Sequence, residues 1–189
     1  MTCNFYPDAE WIPADKKKYR KGHNRTVTKI VLHETSGGSV DARRTARYFG
    51  DAPENSDGRV ASAHYVVGRD GTVMQCVKNC DIAYHANNAN SYTIGIEHNA
   101  RAGIDTDLTD IQYENSAKLV IWLSDVFRIP LTRDYIVGHS EEDKKTTHSQ
   151  CPQRALDWDK YMEAINKFRI DTSMKSKGNP AGNFQTLGS

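Results

Sequence analysis

Three side chains of the types that bind zinc stand at widely separated points of the sequence. His33 ends the apolar run 30–32, His139 follows the run 135–138, and Cys151 precedes a proline. Two imidazoles and a thiolate supply three protein ligands, and the fourth position of the metal stays open for water or substrate, as a catalytic zinc site requires. The sequence therefore predicts the metal centre of a zinc hydrolase, if the fold brings these segments together.

A carboxylate, Glu97, stands at the end of another apolar run, residues 93–96. Hydrolysis of an amide needs a group that takes a proton from water and passes it to the leaving nitrogen, and Glu97 is our candidate for this general base. Burial at a strand end would raise its pKa, and a nearby metal ion would oppose the rise. The oxyanion of the tetrahedral intermediate also needs a donor besides zinc, for which Lys145 and His148 are the candidates.

Each of these residues also has an ordinary structural interpretation. A single histidine at a strand end, such as His33, is more often structural than a ligand. Cys151 alone could be a small buried residue, and Glu97 alone an exposed charge. His64 alternates with apolar neighbours and could be a packed core histidine. The combination and its order along the chain carry the prediction.

The bulk properties are those of one domain with a short tail. The chain has 189 residues, a net charge of +1 and 38% hydrophobic residues, so no strong field argues for nucleic acid. No stretch approaches the ~20 consecutive apolar residues of a membrane span. The basic run 16–21 is most simply a solvated surface; a weak contact of residues 16–25 with anionic polymers or membrane lipids is the alternative. We expect a monomer.

Four cysteines, Cys3, Cys76, Cys80 and Cys151, are too few for a scaffold built on disulfides at this length. Cys76 and Cys80 are four positions apart. Two free thiols are the simpler interpretation, and a bridge between them is the alternative, since spacing alone does not set connectivity.

The predicted elements place the candidate side chains at strand ends. Apolar and β-branched runs predict strands over 26–32, 63–67, 72–77, 82–85, 92–97 and 135–137, and Asp70–Gly71 is a hairpin turn signal. Gly37 to Ser39 are predicted to form a turn.

Helices are predicted after Ser39 or Asp41, from the capping box of Thr109 and Gln112 to a point before Pro130, and from Asp157. The fold class is α/β, a central mixed β-sheet with helices packed on its faces, in a single domain. Residues 1–27 are predicted to be an irregular N-terminal segment, 51–59 a loop, 28–170 the catalytic domain and 171–189 a flexible tail.

The chain resembles the zinc-dependent N-acetylmuramoyl-L-alanine amidases of the type 2 amidase family, which also contains peptidoglycan recognition proteins and many phage endolysins. The resemblance runs from about residue 29 to 165. It rests on VLHET at 31–35, SAHYVV at 62–67 followed by DGTV at 70–73, AYHA at 83–86, IGIEH at 94–98, and GHSE at 138–141 followed by Cys151–Pro152. It implies a mixed sheet with zinc at one end of a groove, and cleavage of the amide between the lactyl group of N-acetylmuramic acid and L-alanine of the peptidoglycan stem.

The resemblance also implies roles for single residues. It puts zinc on His33, His139 and Cys151, makes Glu97 the general base and places His85 in the substrate groove. We assign His64 and Asn90 to the same substrate-binding set, His64 as support rather than as a ligand.

The chain departs from the family pattern at two positions. Many relatives carry a lysine two residues before the third ligand, where it stabilises the oxyanion. Here that residue is Ser149, so His148, Lys145 or the metal itself takes the role. Some relatives carry a tyrosine just before the position of His64. Here that residue is Ala63, which favours a mechanism that depends on Glu97.

We expect an endolysin-like peptidoglycan amidase. A non-catalytic recognition module of the same fold and a cytosolic amidase that recycles anhydro-muropeptides are the alternatives. In residues 1–20, acidic residues precede the lysines and no apolar run follows, which is not the order of a Sec signal. We therefore expect a protein made in the cytoplasm that acts on the cell wall after release.

Overall fold

A six-stranded sheet forms the centre of the computed structural model, which describes residues 3–22, 24–35, 40–53, 58, 60–101 and 104–177. Its strands, in spatial order, are β1 (Glu10–Trp11), β5 (Val73–Gln75), β4 (Tyr65–Val67), β7 (Thr93–His98), β3 (Lys29–Glu34) and β8 (Ile136–Gly138). Within this sheet, β4 and β5 form an antiparallel hairpin, and all other neighbouring strands are parallel. A second, two-stranded sheet pairs β2 (Tyr19–Arg20) with β6 (Ile82–Ala83). The predicted mixed sheet is confirmed.

The central strands β3 and β7 are almost entirely buried, as expected of parallel strands that are covered on both faces. Leu32 and Ile96 lie in the large core under the helices. Because side chains alternate along a strand, His33 and Glu97 point to the opposite face. These two residues are register partners, so the sheet itself places an imidazole beside a carboxylate.

The helices are α1 (Ala42–Gly50), α2 (Asp110–Phe127), α3 (His139–Glu142) and α4 (Trp158–Lys177). The capping box of Thr109 and Gln112 begins α2, and Arg128, in the left-handed region at φ 58°, ends it before Pro130. Asp41 caps α1, and Asp157 accepts from two backbone N–H groups of the first turn of α4. None of the described helices is long and apolar enough to cross a membrane.

The predicted boundaries are wrong at both ends of the chain. The segment 1–27 is not irregular throughout, because β1 joins the central sheet and β2 pairs with β6. Strands of two residues are too short to give a periodic pattern. At the other end, α4 continues to Lys177, so a tail from 171 begins too early; extending an existing helix costs little compared with starting one.

Some predicted features lie outside the described residues: the turn at 37–39 with Ser39 as a cap, positions 54–57 and 59 of the loop 51–59, and residues 178–189.

The cysteines pair differently from either sequence alternative. Cys80 forms a disulfide with Cys3, and Cys76 is a buried free thiol. A bridge between Cys76 and Cys80 is therefore wrong. The partner of Cys80 is 77 positions away, a separation at which spacing carries no signal.

The basic segment 16–25 is not a uniformly solvated surface. Lys18 is fully buried, and its ammonium donates to the carbonyl of Tyr48. Lys21 is paired with Asp81 at 2.9 Å, and Arg25 is 6% exposed. The segment 16–25 thus exposes fewer basic side chains than its sequence contains. A contact of this segment with an anionic polymer or with membrane lipids stays a prediction.

Candidate active site

The three predicted metal ligands converge at the carboxyl ends of the central strands. One ligand atom each of His33, His139 and Cys151 lies within 4.8 Å of the others, and all three residues are buried. Tetrahedral zinc with bonds of 2.0–2.3 Å holds its donor atoms roughly 3.5 Å apart, so small side-chain movements would complete the geometry. Two nitrogens and a sulfur are donors that suit zinc, and the set fits the metal that the sequence predicts.

Backbone contacts bring the Cys151 loop to this position. Gly138 is paired with Leu32, one residue before His33. A Cβ at Gly138 would lie 2.7 Å from Cδ of Pro152, so only a glycine lets the loop approach the end of β8 this closely. Ser140 N–H also donates to the carbonyl of Cys151 at 3.0 Å.

The Cys151 sulfur sits beside β3. The backbone N–H of Glu34 donates to Sγ at 3.3 Å, which favours a thiolate. Burial raises the pKa of the Cys151 thiol, Glu97 adds to the rise, and Arg154 opposes it. A cation bound by the sulfur would compensate for these effects, because a coordinated thiol is deprotonated.

Both histidines of the predicted ligand set use their Nε2 atoms in contacts with the protein. His33 Nε2 lies 3.0 Å from Nδ1 of His85, and His139 Nε2 lies 3.4 Å from Asp143 Oδ2. Burial, with the neighbouring His85 adding, holds the pKa of His33 well below its ordinary value. Burial also lowers the pKa of His139, and Asp143 opposes the shift. Contacts of this kind orient metal-binding imidazoles.

The short helix α3 is held by three consecutive acidic residues. Glu141 accepts from Gly138 N–H and Arg133. Glu142 accepts from Lys29 at 2.7 Å and from Tyr92 at 2.9 Å. Asp143 accepts from Asn87 Nδ2 at 2.6 Å. Three separate segments thereby fix the helix that begins with His139.

Glu97 lies beside the ligand set, with Oε1 4.0 Å from Nδ1 of His33. Its other oxygen, Oε2, is buried and has no hydrogen-bond partner among the described residues. Burial raises the pKa of Glu97 to about 8, with Glu34 adding to the effect. A buried unpaired acceptor costs on the order of 1–3 kcal/mol, and a water or substrate N–H at this oxygen would remove that cost.

Sequence reasoning missed three residues of this site. Asp143 and Asn87 support His139, and the spacing of His139 and Asp143 across one helical turn was the available signal for Asp143. Glu34 is buried and paired with Arg154 at 3.1 Å, and burial raises its pKa to about 7. Its position next to His33 was the only signal for it.

The predicted substrate-binding set is only partly placed at the site. His85 is half-buried beside His33. His64 is fully buried, and its Nδ1 accepts from Gly95 N–H at 3.1 Å, so its described contacts are those of a residue that supports the sheet. The Asn90 oxygen accepts from the backbone N–H groups of His85 and Ala86, so this side chain shapes the loop instead of presenting its oxygen to a substrate.

The two candidate oxyanion donors are placed differently. His148 is exposed, and its ring stacks on that of His139 with centroids 5.7 Å apart and an interplanar angle of 26°. Lys145 is exposed too, but its described contact is that of its backbone N–H with Asp143. The structure therefore brings His148 to the ligand set and does not bring the Lys145 ammonium there.

Comparison with known proteins agrees with the geometry. Residues 23–154 match the model of the family described as N-acetylmuramoyl-L-alanine amidase. The chain is 33% identical over 118 residues to N-acetylmuramoyl-L-alanine amidase A of Achromobacter lyticus, covering 60% of each protein. It is 29% identical over 112 residues to 1,6-anhydro-N-acetylmuramyl-L-alanine amidase AmpD of Haemophilus influenzae, covering 55% of this chain and 58% of that protein. The chain thus spans about three fifths of the length of these relatives.

The fold is similar to that of a selenomethionine derivative of AmpD, with a TM-score of 0.69 at 21% identity. The similarity covers 85% of this chain and 96% of that one.

Proposed function

This chain belongs to the N-acetylmuramoyl-L-alanine amidase family, and we propose that it hydrolyses the amide bond between N-acetylmuramic acid and L-alanine in peptidoglycan with the help of zinc. One observation carries the proposal. The ligand atoms of His33, His139 and Cys151 lie within 4.8 Å of one another, beside a buried carboxylate oxygen of Glu97 that has no partner among the described residues.

Glu97 acts as the general base. A zinc ion held by the three ligands would supply a Lewis acid that polarises the scissile carbonyl and acidifies water. Glu97 takes the proton of the attacking water and delivers it to the leaving nitrogen of L-alanine. Burial raises the pKa of Glu97 and a bound cation would lower it again, so this carboxylate can accept the proton of water and then release it to the leaving group.

His148 donates a hydrogen bond to the oxyanion. Its ring lies against that of His139, at the exposed side of the ligand set, where a substrate carbonyl would enter. Removal of one oxyanion donor typically costs about 10²–10³ in kcat, so this role is measurable.

Cell-wall lysis is the biological role that we favour. The Cys3–Cys80 disulfide supports it, because disulfides persist outside the reducing cytoplasm. On this proposal the protein is made in the cytoplasm, and it acts on the wall after release.

Recycling of anhydro-muropeptides is the second candidate, and the similarity to the Haemophilus influenzae AmpD favours it. A purely non-catalytic recognition module is disfavoured, because three metal-binding donors and Glu97 are all in place.

The test compares two substrates. Zinc-loaded protein is incubated with purified sacculi and with soluble anhydro-muropeptides, and the products are analysed by mass and by their new termini. We expect free L-alanine amino termini to appear from sacculi, with no new reducing sugar ends. The Glu97→Gln protein is the matched control for background cleavage.

Each outcome separates the candidates. Cleavage of glycan strands or cross-links alone would overturn the amidase proposal. Turnover of soluble muropeptides with sacculi left intact would replace lysis by recycling. Binding of sacculi without cleavage, by a protein that holds no stoichiometric zinc, would leave only the recognition module.

A further inference from the structure

The metal-binding atoms of two histidines depend on one loop. We propose that the segment from His85 to Thr93 is the positioning element of the metal centre: it holds both imidazole ligands in the tautomer with the proton on Nε2, and so directs both Nδ1 atoms to the metal. The inference rests on the proposed function only in assigning zinc to His33 and His139.

The carbonyl oxygen of Ala89 can only accept a hydrogen bond, and this fixes the donor and acceptor roles of Thr93 and His85. Thr93 Oγ1 lies 2.7 Å from the carbonyl oxygen of Ala89, so the single hydroxyl proton of Thr93 is committed to that carbonyl. His85 Nε2 lies 3.2 Å from the same hydroxyl oxygen. Since the hydroxyl proton is already used, His85 must donate here, and its proton is on Nε2.

The tautomer of His85 determines which nitrogen of His33 carries the proton. A neutral imidazole has one N–H and one lone pair, so His85 Nδ1 accepts. The atom facing it is Nε2 of His33, 3.0 Å away, which therefore carries the proton. Nδ1 of His33 keeps its lone pair, and it is this atom that lies 4.0 Å from Glu97.

The imidazole ring of His85 packs directly on the backbone of Gly95. A Cβ at Gly95 would lie 2.5 Å from Cγ of His85, so only a glycine on β7 leaves room for the imidazole. The backbone N–H of His85 donates to Asn90 Oδ1 at 2.9 Å. Strand β7 and the loop thus fix the ring from two sides, and Thr93, fully buried, touches no substrate.

The same loop reaches the second imidazole by another route. Asn87 Nδ2 donates to Asp143 Oδ2 at 2.6 Å, and that carboxylate oxygen lies 3.4 Å from His139 Nε2. A carboxylate accepts only, so the His139 proton is on Nε2 and its Nδ1 is available. The two proposed ligands therefore have different neighbours at Nε2: the neutral imidazole of His85 contacts His33, and the carboxylate of Asp143 contacts His139.

The first measurement needs no substitution. In the metal-free protein, nitrogen-15 spectra of the imidazole rings report which nitrogen is protonated. We expect His33, His85 and His139 all to carry the proton on Nε2. A proton on Nδ1 of His33 in the intact protein would overturn the proposal.

The second measurement removes the hydroxyl of Thr93, which sets the direction of the hydrogen bonds through His85 to His33. Thr93→Val keeps the shape of the side chain and loses the hydroxyl, so His85 is free to reverse its tautomer. Loss of a group that orients a ligand typically weakens metal binding about 10- to 100-fold. We expect a loss in that range in competition with a chromophoric chelator, together with a changed spectrum of His33. Thr93→Ser restores the hydroxyl and should restore zinc affinity.

Ser124→Ala is the matched control, because Ser124 Oγ also donates to a backbone carbonyl, at 2.6 Å from Ile129 O, in a buried setting away from the site. It should lower stability and leave zinc affinity unchanged. If Thr93→Val binds zinc as tightly as the intact chain, with the His33 spectrum unchanged, the proposal is wrong. None of these readouts needs peptidoglycan, so failure of the amidase assay would remove the proposed function and leave this inference intact.

Discussion

Burial and pairing give the reacting side chains their properties at the scale of single residues. Glu97 faces His33 because the two are register partners on parallel strands, and burial raises the pKa of its carboxyl. The same carboxyl on an exposed loop would be a simple anion. The distance of Glu97 from the proposed metal ligands and the proton affinity of its carboxyl thus have a common origin in the sheet.

Replacing the base should separate metal binding from catalysis. We expect Glu97→Gln to lower kcat by about 10²–10⁴-fold, the usual contribution of general acid–base catalysis. Zinc content should be unchanged, because none of the three ligands is altered. Metal analysis and release of L-alanine termini from sacculi measure the two effects. An active Glu97→Gln protein would remove Glu97 from the mechanism.

Two single alanine variants decide the oxyanion donor. Because His148 stacks on His139, His148→Ala should lower kcat on the order of 10²-fold with little change in KM. Lys145→Ala should have little effect on either constant and serves as its control. A large loss of turnover in Lys145→Ala alone would assign the donor to the lysine.

Helix α3 shows how neighbouring elements stabilise one that is too short to exist alone. Four residues do not form a stable helix in water, and α3 depends on the contacts of Glu141, Glu142 and Asp143 with Arg133, Lys29, Tyr92 and Asn87. The closeness of the Cys151 loop to Gly138 adds the third proposed ligand to this unit. The proposed metal site is thus built from elements that depend on each other.

A single methyl group at Gly138 should disturb this unit. In Gly138→Ala the new Cβ would lie 2.7 Å from Pro152 Cδ, which forces the Cys151 loop away from the strand end. Overpacking of this kind typically costs about 1–3 kcal/mol, and zinc affinity should fall with it. Thermal unfolding and chelator competition measure both quantities.

Gly50→Ala is the comparison variant, because Gly50 ends α1, which packs on β4 and β5, and its added Cβ would approach its nearest atom, the carbonyl oxygen of Pro13, only to 3.1 Å. It should keep the zinc affinity of the original chain. Equal zinc affinities for Gly138→Ala and Gly50→Ala would show that the loop containing Pro152 accommodates the added methyl group without moving Cys151.

The N-terminal segment shows how the whole molecule extends beyond the residues of the family match, 23–154. Cys3 is bonded to Cys80, Asn79 donates to the carbonyl of Asn4 at 2.9 Å, and β1 adds an edge strand to the sheet. These contacts attach residues 3–11 to the same domain as the metal ligands.

Loss of the disulfide should therefore weaken the fold without changing the ligand set. We expect Cys3→Ser to lower the free energy of unfolding by about 2–4 kcal/mol, measured with urea, while zinc content stays the same. A reductant should destabilise the original chain similarly and have no further effect on Cys3→Ser. An equal effect of reductant on both proteins would place the sensitivity elsewhere.

Local sequence patterns determined much of this protein. The β-branched run before His33 predicts β3, and the capping box at Thr109 predicts the start of α2; both are confirmed. The types and order of His33, His139, Cys151 and Glu97, in five motif blocks, indicate the family. These features are readable because a strand, a cap or a ligand type is expressed within a few neighbouring residues.

Only the tertiary structure decided the rest: the burial of His64, the pairing of Cys3 with Cys80, the support of His139 by Asp143 and Asn87, and the placement of His148 rather than Lys145 at the ligand set. Apart from the contact of Asp143 with His139, one helical turn away, each of these joins segments that are distant in sequence or depends on which side of a loop faces the sheet. Such contacts are set by strand register and by close approaches at Gly95 and Gly138, and neither leaves a periodic trace in the chain.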